Sequence, residues 1–209
     1  SKLLNDYAKS KIMGYDAIYV HLATNYYGKG KADWIDEEQL LKIVDNAKKL
    51  EPLLIGKKAP NLVLNTLAGK PVNMYNLESK FTAVYFWDPD CGHCKKASPE
   101  MIAFQTKYEK KGVKLLGICT EIRDDVKKCW ETIDEREYNW LNLVDPYLQS
   151  RYKTLYKIKA TPQIVVLDKN KKIIMKRIGA EQLGEVMDKI IERDIGLGNY
   201  VKEEREGIA

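Results

Sequence analysis

The residues of this chain that are best suited to chemistry are two cysteines, in the run Cys91-Gly92-His93-Cys94. The run follows an apolar segment, 81–87, and precedes a segment with helical patterning. Two cysteines spaced in this way at the start of a helix form a dithiol that can exchange with a disulfide. The helix N-terminus lowers the pKa of Cys91, and we expect Cys94 one turn later, turned inward. His93, as an imidazolium, would stabilise the thiolate further and make the pair a stronger oxidant.

Metal and haem sites fit these residues less well. A structural zinc site needs four ligands, but a second C-x-x-C is absent and the only histidines are His21 and His93. A c-type haem site would need histidine where Lys95 stands. We therefore expect no metal and no cofactor. We expect Cys119 and Cys129 to be two ordinary thiols, the alternative being a second disulfide or a relay.

Two prolines favour the redox interpretation. Pro99 falls inside the predicted helix, where proline costs roughly 3 kcal/mol or more, so its presence there requires a reason. Thr161-Pro162 precedes a predicted core strand. A cis peptide bond there would present the Thr161 backbone as an edge for an extended substrate. The alternative is an ordinary trans proline at a strand entry.

Helices and strands must position these residues, and the two kinds of element alternate along the chain. Apolar periodicity and turn signals predict helices within 1–50 and at 92–110, 124–138, 146–156 and 181–193, and strands at 61–65, 81–87, 113–119, 163–167 and 172–178. The last two strands are predicted to form a hairpin. The alternation predicts an α/β fold whose central sheet is covered by helices on both faces.

Composition limits the functional classes. The chain has 209 residues, of which 44% are hydrophobic, enough for one sizeable core and an appendage. The net charge of +5 comes from lysines interleaved with acids, so we expect no nucleic-acid binding. No apolar run approaches the roughly 20 residues that span a bilayer. Since no signal peptide is visible and the chain begins at Ser1, we expect a targeting segment, and any membrane tether, to lie outside this chain.

Several of these motifs occur together in one family. The run 87–94, Pro99 and Thr161-Pro162 resemble the thioredoxin superfamily, and within it the TlpA/ResA-like extracytoplasmic thiol–disulfide oxidoreductases. The opening at 59–62 and the insertion 121–152 are also similar to that branch. The resemblance implies a thioredoxin-like domain over 55–195, with a central mixed sheet flanked by helices. Residues 1–54 resemble the end of a larger helical domain, and we expect 196–209 to be a frayed tail.

The resemblance also implies roles for the site residues. Cys91 would be the attacking thiolate and Cys94 the resolving thiol. Trp87 would pack beside the disulfide, and a cis Pro162 would lie next to it. Trp87, Thr161 and Pro162 would contact the substrate.

The sequence departs from the family pattern at one position. Thioredoxin has a buried aspartate, the proton acceptor for the resolving thiol, where this chain has Tyr85. The acceptor here would be water or another carboxylate such as Glu121, which follows a predicted strand end. An ordinary solvated Glu121 is the alternative.

The resulting hypothesis is an enzyme that reduces or isomerises disulfides of exported proteins in the bacterial cell envelope or periplasm. Its partners would be those disulfide-containing proteins and an envelope electron donor or acceptor protein. An alternative is a thioredoxin-fold binding module with incidental turnover, against which the intact C-x-x-C argues. A thiol peroxidase would need a Thr-x-x-Cys nucleophile, and that pattern is missing before Cys91.

Overall fold

The structure of the chain, a computed structural model, describes residues 2–10 and 12–206. Its first part consists of the helices α1 Lys2–Lys9, α2 Tyr15–Asn25 and α3 Glu37–Leu50. The predicted cap of α3 is confirmed, because the Asp36 carboxylate accepts a hydrogen bond from the Gln39 N–H at 2.8 Å. The three helices share their own cluster of buried residues, which includes Leu4, Tyr19, Val20, Ala23, Tyr27, Ala47 and Leu50.

A mixed sheet forms the centre of the molecule. The short antiparallel pair β1 Val63–Asn65 and β2 Pro71–Asn73 leads into five further strands: β3 Phe81–Trp87, β4 Val113–Cys119, β5 Leu141–Leu143, β6 Gln163–Asp168 and β7 Ile173–Lys176. The order in the main sheet is β5-β4-β3-β6-β7, with β3 parallel to β4 and antiparallel to β6. The predicted strands and the hairpin are confirmed. Strand β5 was not predicted, because its three residues are too few to show a period.

Helices cover both faces of this sheet, as predicted. The ranges are α4 Gly92–Tyr108, α5 Val126–Glu135, α6 Tyr152–Leu155 and α7 Ala180–Glu206. Alternate residues of β3 face opposite sides: Tyr85 and Trp87 pack into the cluster with α4, α5 and α7, whereas Val84 and Phe86 pack into the cluster with α6 and β1. Every residue of β3 is therefore buried, which explains its unbroken apolar sequence.

A disulfide joins Cys119 to Cys129, so the expectation of two ordinary thiols is wrong. The two Cα atoms lie 6.1 Å apart although ten residues separate them along the chain. After β4 the chain turns through the short helical segment Arg123–Asp125 into α5, and the buried Cys129 of α5 packs in the same cluster as Cys119. Sequence spacing alone does not reveal which strand end the buried face of a helix will meet.

The last helix extends beyond its predicted range, 181–193. Helix α7 continues to Glu206. Gly196 and Gly198 each cost a helix only about 1 kcal/mol, and the charged residues after them are good helix formers. Residues 207–209 lie outside the described part of the chain. Within residues 2–10 and 12–206, no helix has both the length and the apolar character that a membrane crossing requires.

Candidate active site

The two thiols lie where β3 ends and α4 begins. Cys91 is the N-cap of α4, and its Sγ accepts a hydrogen bond from the Cys94 N–H at 3.3 Å. Both cysteines are free thiols. Cys91 is half-buried, whereas Cys94 is only 1% exposed. One sulfur is therefore accessible to a partner molecule, and the other lies behind it.

The environments of the two thiols shift their pKa values in opposite directions. Burial raises the pKa of Cys91, but hydrogen bonds from Thr161, Cys94 and the backbone of His93 outweigh it and bring the pKa below the ordinary thiol value. Burial raises the pKa of Cys94 to about 12, and the hydrogen bond with Cys91 adds to the rise. Because the thiolate is the nucleophilic form, the arrangement suits Cys91 for attack and keeps Cys94 protonated.

The loop before β6 lies against the accessible sulfur. The Thr161–Pro162 peptide bond is cis, and the Cys91 thiol donates a hydrogen bond to the Thr161 carbonyl oxygen at 3.2 Å. The loop is held there because β6 pairs with β3, with Gln163 opposite Phe86. Thr161 and Pro162 are both half-buried, so part of each faces solvent beside Cys91.

Trp87 supports the dithiol from the core. It is 0% exposed, and its ring meets the Tyr138 ring edge-on with 5.1 Å between centroids. It belongs to the cluster that contains Cys94, against which Cys91 also packs. As the last residue of a strand buried on both faces, Trp87 has no exposed surface in this structure for the substrate contact that the sequence led us to expect.

Tyr85, which stands in place of the thioredoxin aspartate, does not replace it as a base. The residue is 0% exposed, and its hydroxyl has no hydrogen-bond partner among the described residues. Burial raises the pKa of Tyr85, and the nearby Cys94 sulfur raises it further. The phenol therefore keeps its proton at neutral pH and cannot accept one from Cys94.

The other two predicted residues lie at the edge of the site. His93 is exposed on the first turn of α4. Glu121 is half-buried two residues after β4, beside the strand end that carries Trp87. Burial and then the charge of Asp88 raise the pKa of Glu121, which makes its carboxylate a better proton acceptor. No hydrogen bond joins Glu121 to Cys94 in the described structure, and no group of His, Cys, Asp or Glu there could hold a metal ion.

Sequence reasoning overlooked two groups that hold the dithiol in place. The Asp88 carbonyl accepts a hydrogen bond from the Cys91 N–H at 3.3 Å, and the Asp88 backbone lowers the pKa of Cys94. The signal for this turn was the Asp-Pro-Asp sequence before Cys91. The Ser98 hydroxyl donates to the Cys94 carbonyl at 2.9 Å and also bonds the Tyr138 hydroxyl. No sequence signal links Ser98 to a residue 40 positions away.

Known proteins similar to this chain share its fold and its type of chemistry. The chain is 28% identical over 152 residues to thiol-disulfide oxidoreductase ResA of Bacillus cereus, covering 68% of this chain and 80% of that protein. A domain of a possible thiol-disulfide isomerase from Cytophaga hutchinsonii is 36% identical, with a TM-score of 0.62, over 71% of this chain and 98% of that one. A thioredoxin-like protein from Bacteroides caccae, 17% identical, has a TM-score of 0.74 over 88% of this chain and 67% of that one, a likeness of fold alone.

The five-stranded mixed sheet, the helices on its two faces and these relatives define a thioredoxin-like thiol-disulfide oxidoreductase, and so an enzyme. A family model matches residues 55–176, which is more than half of the chain. The chain belongs to the AhpC/TSA family.

Proposed function

We propose that this enzyme reduces or isomerises disulfide bonds of other proteins through the dithiol of Cys91 and Cys94. The observation that carries the proposal is that the two thiols differ in exposure and have pKa values shifted in opposite directions. Cys91 is accessible and has a lowered pKa, whereas Cys94 is buried and has a raised one. A nucleophile that is ionised and reachable, with a protonated thiol directly behind it, meets the requirements of thiol–disulfide exchange.

The reaction begins with attack of the Cys91 thiolate on one sulfur of the substrate disulfide. The substrate S–S bond breaks, its other sulfur leaves as a thiolate, and a mixed disulfide joins Cys91 to the substrate. Cys94 then loses its proton and attacks the Cys91 Sγ, which releases the second substrate thiolate. Two electrons have passed to the substrate, and a partner protein must reduce the Cys91–Cys94 disulfide before the next cycle. In isomerisation, another thiol of the substrate resolves the mixed disulfide instead.

The remaining site residues receive supporting roles. Thr161 and the cis Pro162 offer a backbone edge to an extended substrate beside Cys91. The Glu121 carboxylate, its pKa raised, accepts the Cys94 proton through water. As an imidazolium, the His93 side chain would favour the Cys91 thiolate, in addition to the contribution of the His93 backbone. Trp87 keeps the first turn of α4 in position from the core.

A location in the bacterial cell envelope or periplasm is part of the proposal, with disulfide-containing exported proteins as substrates and an envelope protein as electron donor or acceptor. The Cys119–Cys129 disulfide supports this location, because disulfides persist in oxidising compartments. We also propose a domain boundary near residue 54. The family match from residue 55 and the separate buried cluster of the first three helices support it.

Reduction of insulin by dithiothreitol tests the catalytic proposal. The wild-type chain is expected to accelerate the reaction, Cys91→Ser to abolish the acceleration, and Cys94→Ala to accumulate mixed disulfides that appear on non-reducing gels. A control replaces Cys119 and Cys129 with alanine, which removes two other cysteines and leaves the proposed site intact. Undiminished activity in Cys91→Ser would contradict the proposal. Non-covalent capture of partners by Cys94→Ala, without mixed disulfides, would favour a binding module instead.

A further inference from the structure

A cavity of about 760 Å³ lies between the N-terminal helices and the main sheet. One wall comes from the segment around α1 and from α2 and α3, and the opposite wall from β6, β7 and the loops at their ends. The residues Lys159, Ala160 and Pro162 of the loop before β6 line it. This is the loop whose Thr161 oxygen lies 3.2 Å from the Cys91 sulfur, so the cavity adjoins the dithiol.

A buried polar pair lies in the cavity lining. The Lys176 ammonium donates hydrogen bonds to the Asp16 carboxylate and to the Leu53 carbonyl oxygen. Asp16 is 1% exposed, and its second oxygen, Oδ1, has no hydrogen-bond partner in the described structure. A buried acceptor without a donor is unfavourable.

The rest of the charged lining is positive. Lys157, Lys159 and Arg177 all line the cavity, and Lys159 and Arg177 are exposed. The Lys157 ammonium donates to the side-chain oxygen of Asn46, and the Arg177 guanidinium donates to the Ser10 carbonyl oxygen at 2.6 Å. Both acceptors are uncharged, so these hydrogen bonds orient the cations without neutralising them.

The acids of the region do not cancel this charge. Among the described residues that line the cavity, Asp16 is the only acid, and it is paired with Lys176. Asp45, the acid whose charge acts on Lys157, forms its own ion pair with Lys49 at 2.5 Å and does not line the cavity. An excess of positive charge therefore remains beside the Pro162 loop.

We infer that this cavity binds an acidic segment of the substrate polypeptide, next to the cysteine that is under attack. The inference rests on the proposed function. A substrate chain that pairs with the Thr161 backbone continues past Ala160 and Lys159 into the cavity. Carboxylates on that segment complement the three cations, and such complementarity directs partner choice.

Two peptide disulfides test the inference, one with glutamates on both sides of its cysteine and one with glutamines. With dithiothreitol as reductant, the wild type is expected to reduce the glutamate peptide with a kcat/KM about 3- to 10-fold higher at low salt, as two or more exposed charge pairs would give. The double variant Lys157→Gln/Lys159→Gln, which keeps Arg177, is expected to lose most of this preference. Lys159→Glu should shift the preference toward a third peptide that carries lysines.

A matched control removes two positive charges elsewhere. Lys110 and Lys169 are exposed at the opposite end of the sheet, near the residues that pair with Phe81, and Lys110→Gln/Lys169→Gln should keep the full preference. Equal wild-type values for the glutamate and glutamine peptides, or a preference that survives undiminished in Lys157→Gln/Lys159→Gln, would overturn the inference. The uncharged 2-hydroxyethyl disulfide should react equally with the wild type and with Lys110→Gln/Lys169→Gln, and its failure to react with the wild type would count against the dithiol proposal instead.

A binding measurement makes the test of the cavity independent of turnover. Fluorescein-labelled peptides with serine in place of cysteine are titrated with the full chain, and fluorescence anisotropy reports their affinity. The glutamate peptide is expected to bind more tightly than the glutamine peptide, and most of the difference should be lost in Lys157→Gln/Lys159→Gln. Affinities that do not depend on the peptide charge would overturn the inference even if the dithiol is active.

Discussion

The Cys119–Cys129 disulfide is expected to contribute about 2.7 kcal/mol to the free energy of unfolding. The estimate follows from the loss of chain entropy in the unfolded state, because the cross-link closes a loop with a sequence separation of ten residues. For a chain of this size, the loss of that amount lowers the melting temperature by about 5–11 °C. Both sulfurs are buried, so alanine substitutions also remove packing, and the two effects must be separated.

A double-mutant cycle separates them, measured by urea unfolding followed by circular dichroism. The background carries Cys91→Ala and Cys94→Ala, so that no other thiol can mispair. Each single variant, Cys119→Ala or Cys129→Ala, loses the cross-link and its own packing. The double variant loses the cross-link once and both packing contributions. The losses of the two single variants should therefore sum to about 2.7 kcal/mol more than the loss of the double variant.

An additive cycle would refute this reasoning. If the losses of the single variants sum to that of the double variant within about 0.5 kcal/mol, the cross-link contributes nothing measurable. The loss of unfolding free energy in the variants would then come from packing alone. A coupling energy well above 2.7 kcal/mol would instead show that the free thiol left in each single variant is strained or poorly accommodated in the core.

The remaining predictions concern the dithiol, a buried ion pair and a strand glycine. Iodoacetamide should alkylate Cys91 and leave the buried Cys94 unmodified. The rate of Cys91 alkylation should rise with pH and level off, and the midpoint of this rise should lie below the ordinary thiol pKa. Mass spectrometry across a pH series checks both points. Lys176→Met should lower the free energy of unfolding by about 3–5 kcal/mol, because it leaves the Asp16 charge unpaired. Adding Asp16→Leu to this variant should recover most of the lost stability, and urea unfolding measures both changes. Gly117→Ala should lower the free energy of unfolding by about 1–3 kcal/mol, since its Cβ would clash with the Trp140 and Asn142 side chains, and thermal unfolding measures this.

The sequence predicted the parts of the site that depend on local pattern. The C-x-x-C between a strand and a helix was enough to predict which sulfur is accessible, because an N-cap position exposes Cys91 and one helical turn carries Cys94 inward. The Thr161-Pro162 pair could be associated with the dithiol only through the family resemblance. The reason is that β6 reaches Cys91 by pairing with β3 across more than 70 positions of sequence.

Features that depend on which buried faces meet could not be predicted. Periodicity indicated a helix around Cys129 but not that its buried face would meet the end of β4, so the disulfide was missed. The burial of Trp87 has a related reason, because a central strand covered on both faces exposes no side chain. The pairing of Asp16 with Lys176, 160 positions apart, appears only when the helical segment packs on β7.

The two pairs of cysteines differ in reactivity although they share one core cluster. Exchange with an external thiol requires that a sulfur be reached, and only Cys91 is accessible, since Cys119 and Cys129 are 1% and 0% exposed. Trp87 stands in register with Cys119 on the neighbouring strand. An enzyme that reduces the disulfides of other proteins must not reduce its own structural disulfide, and burial provides that protection without any difference in sulfur chemistry. The buried disulfide must therefore form before or during folding, which is expected in the oxidising compartment that we propose for this protein.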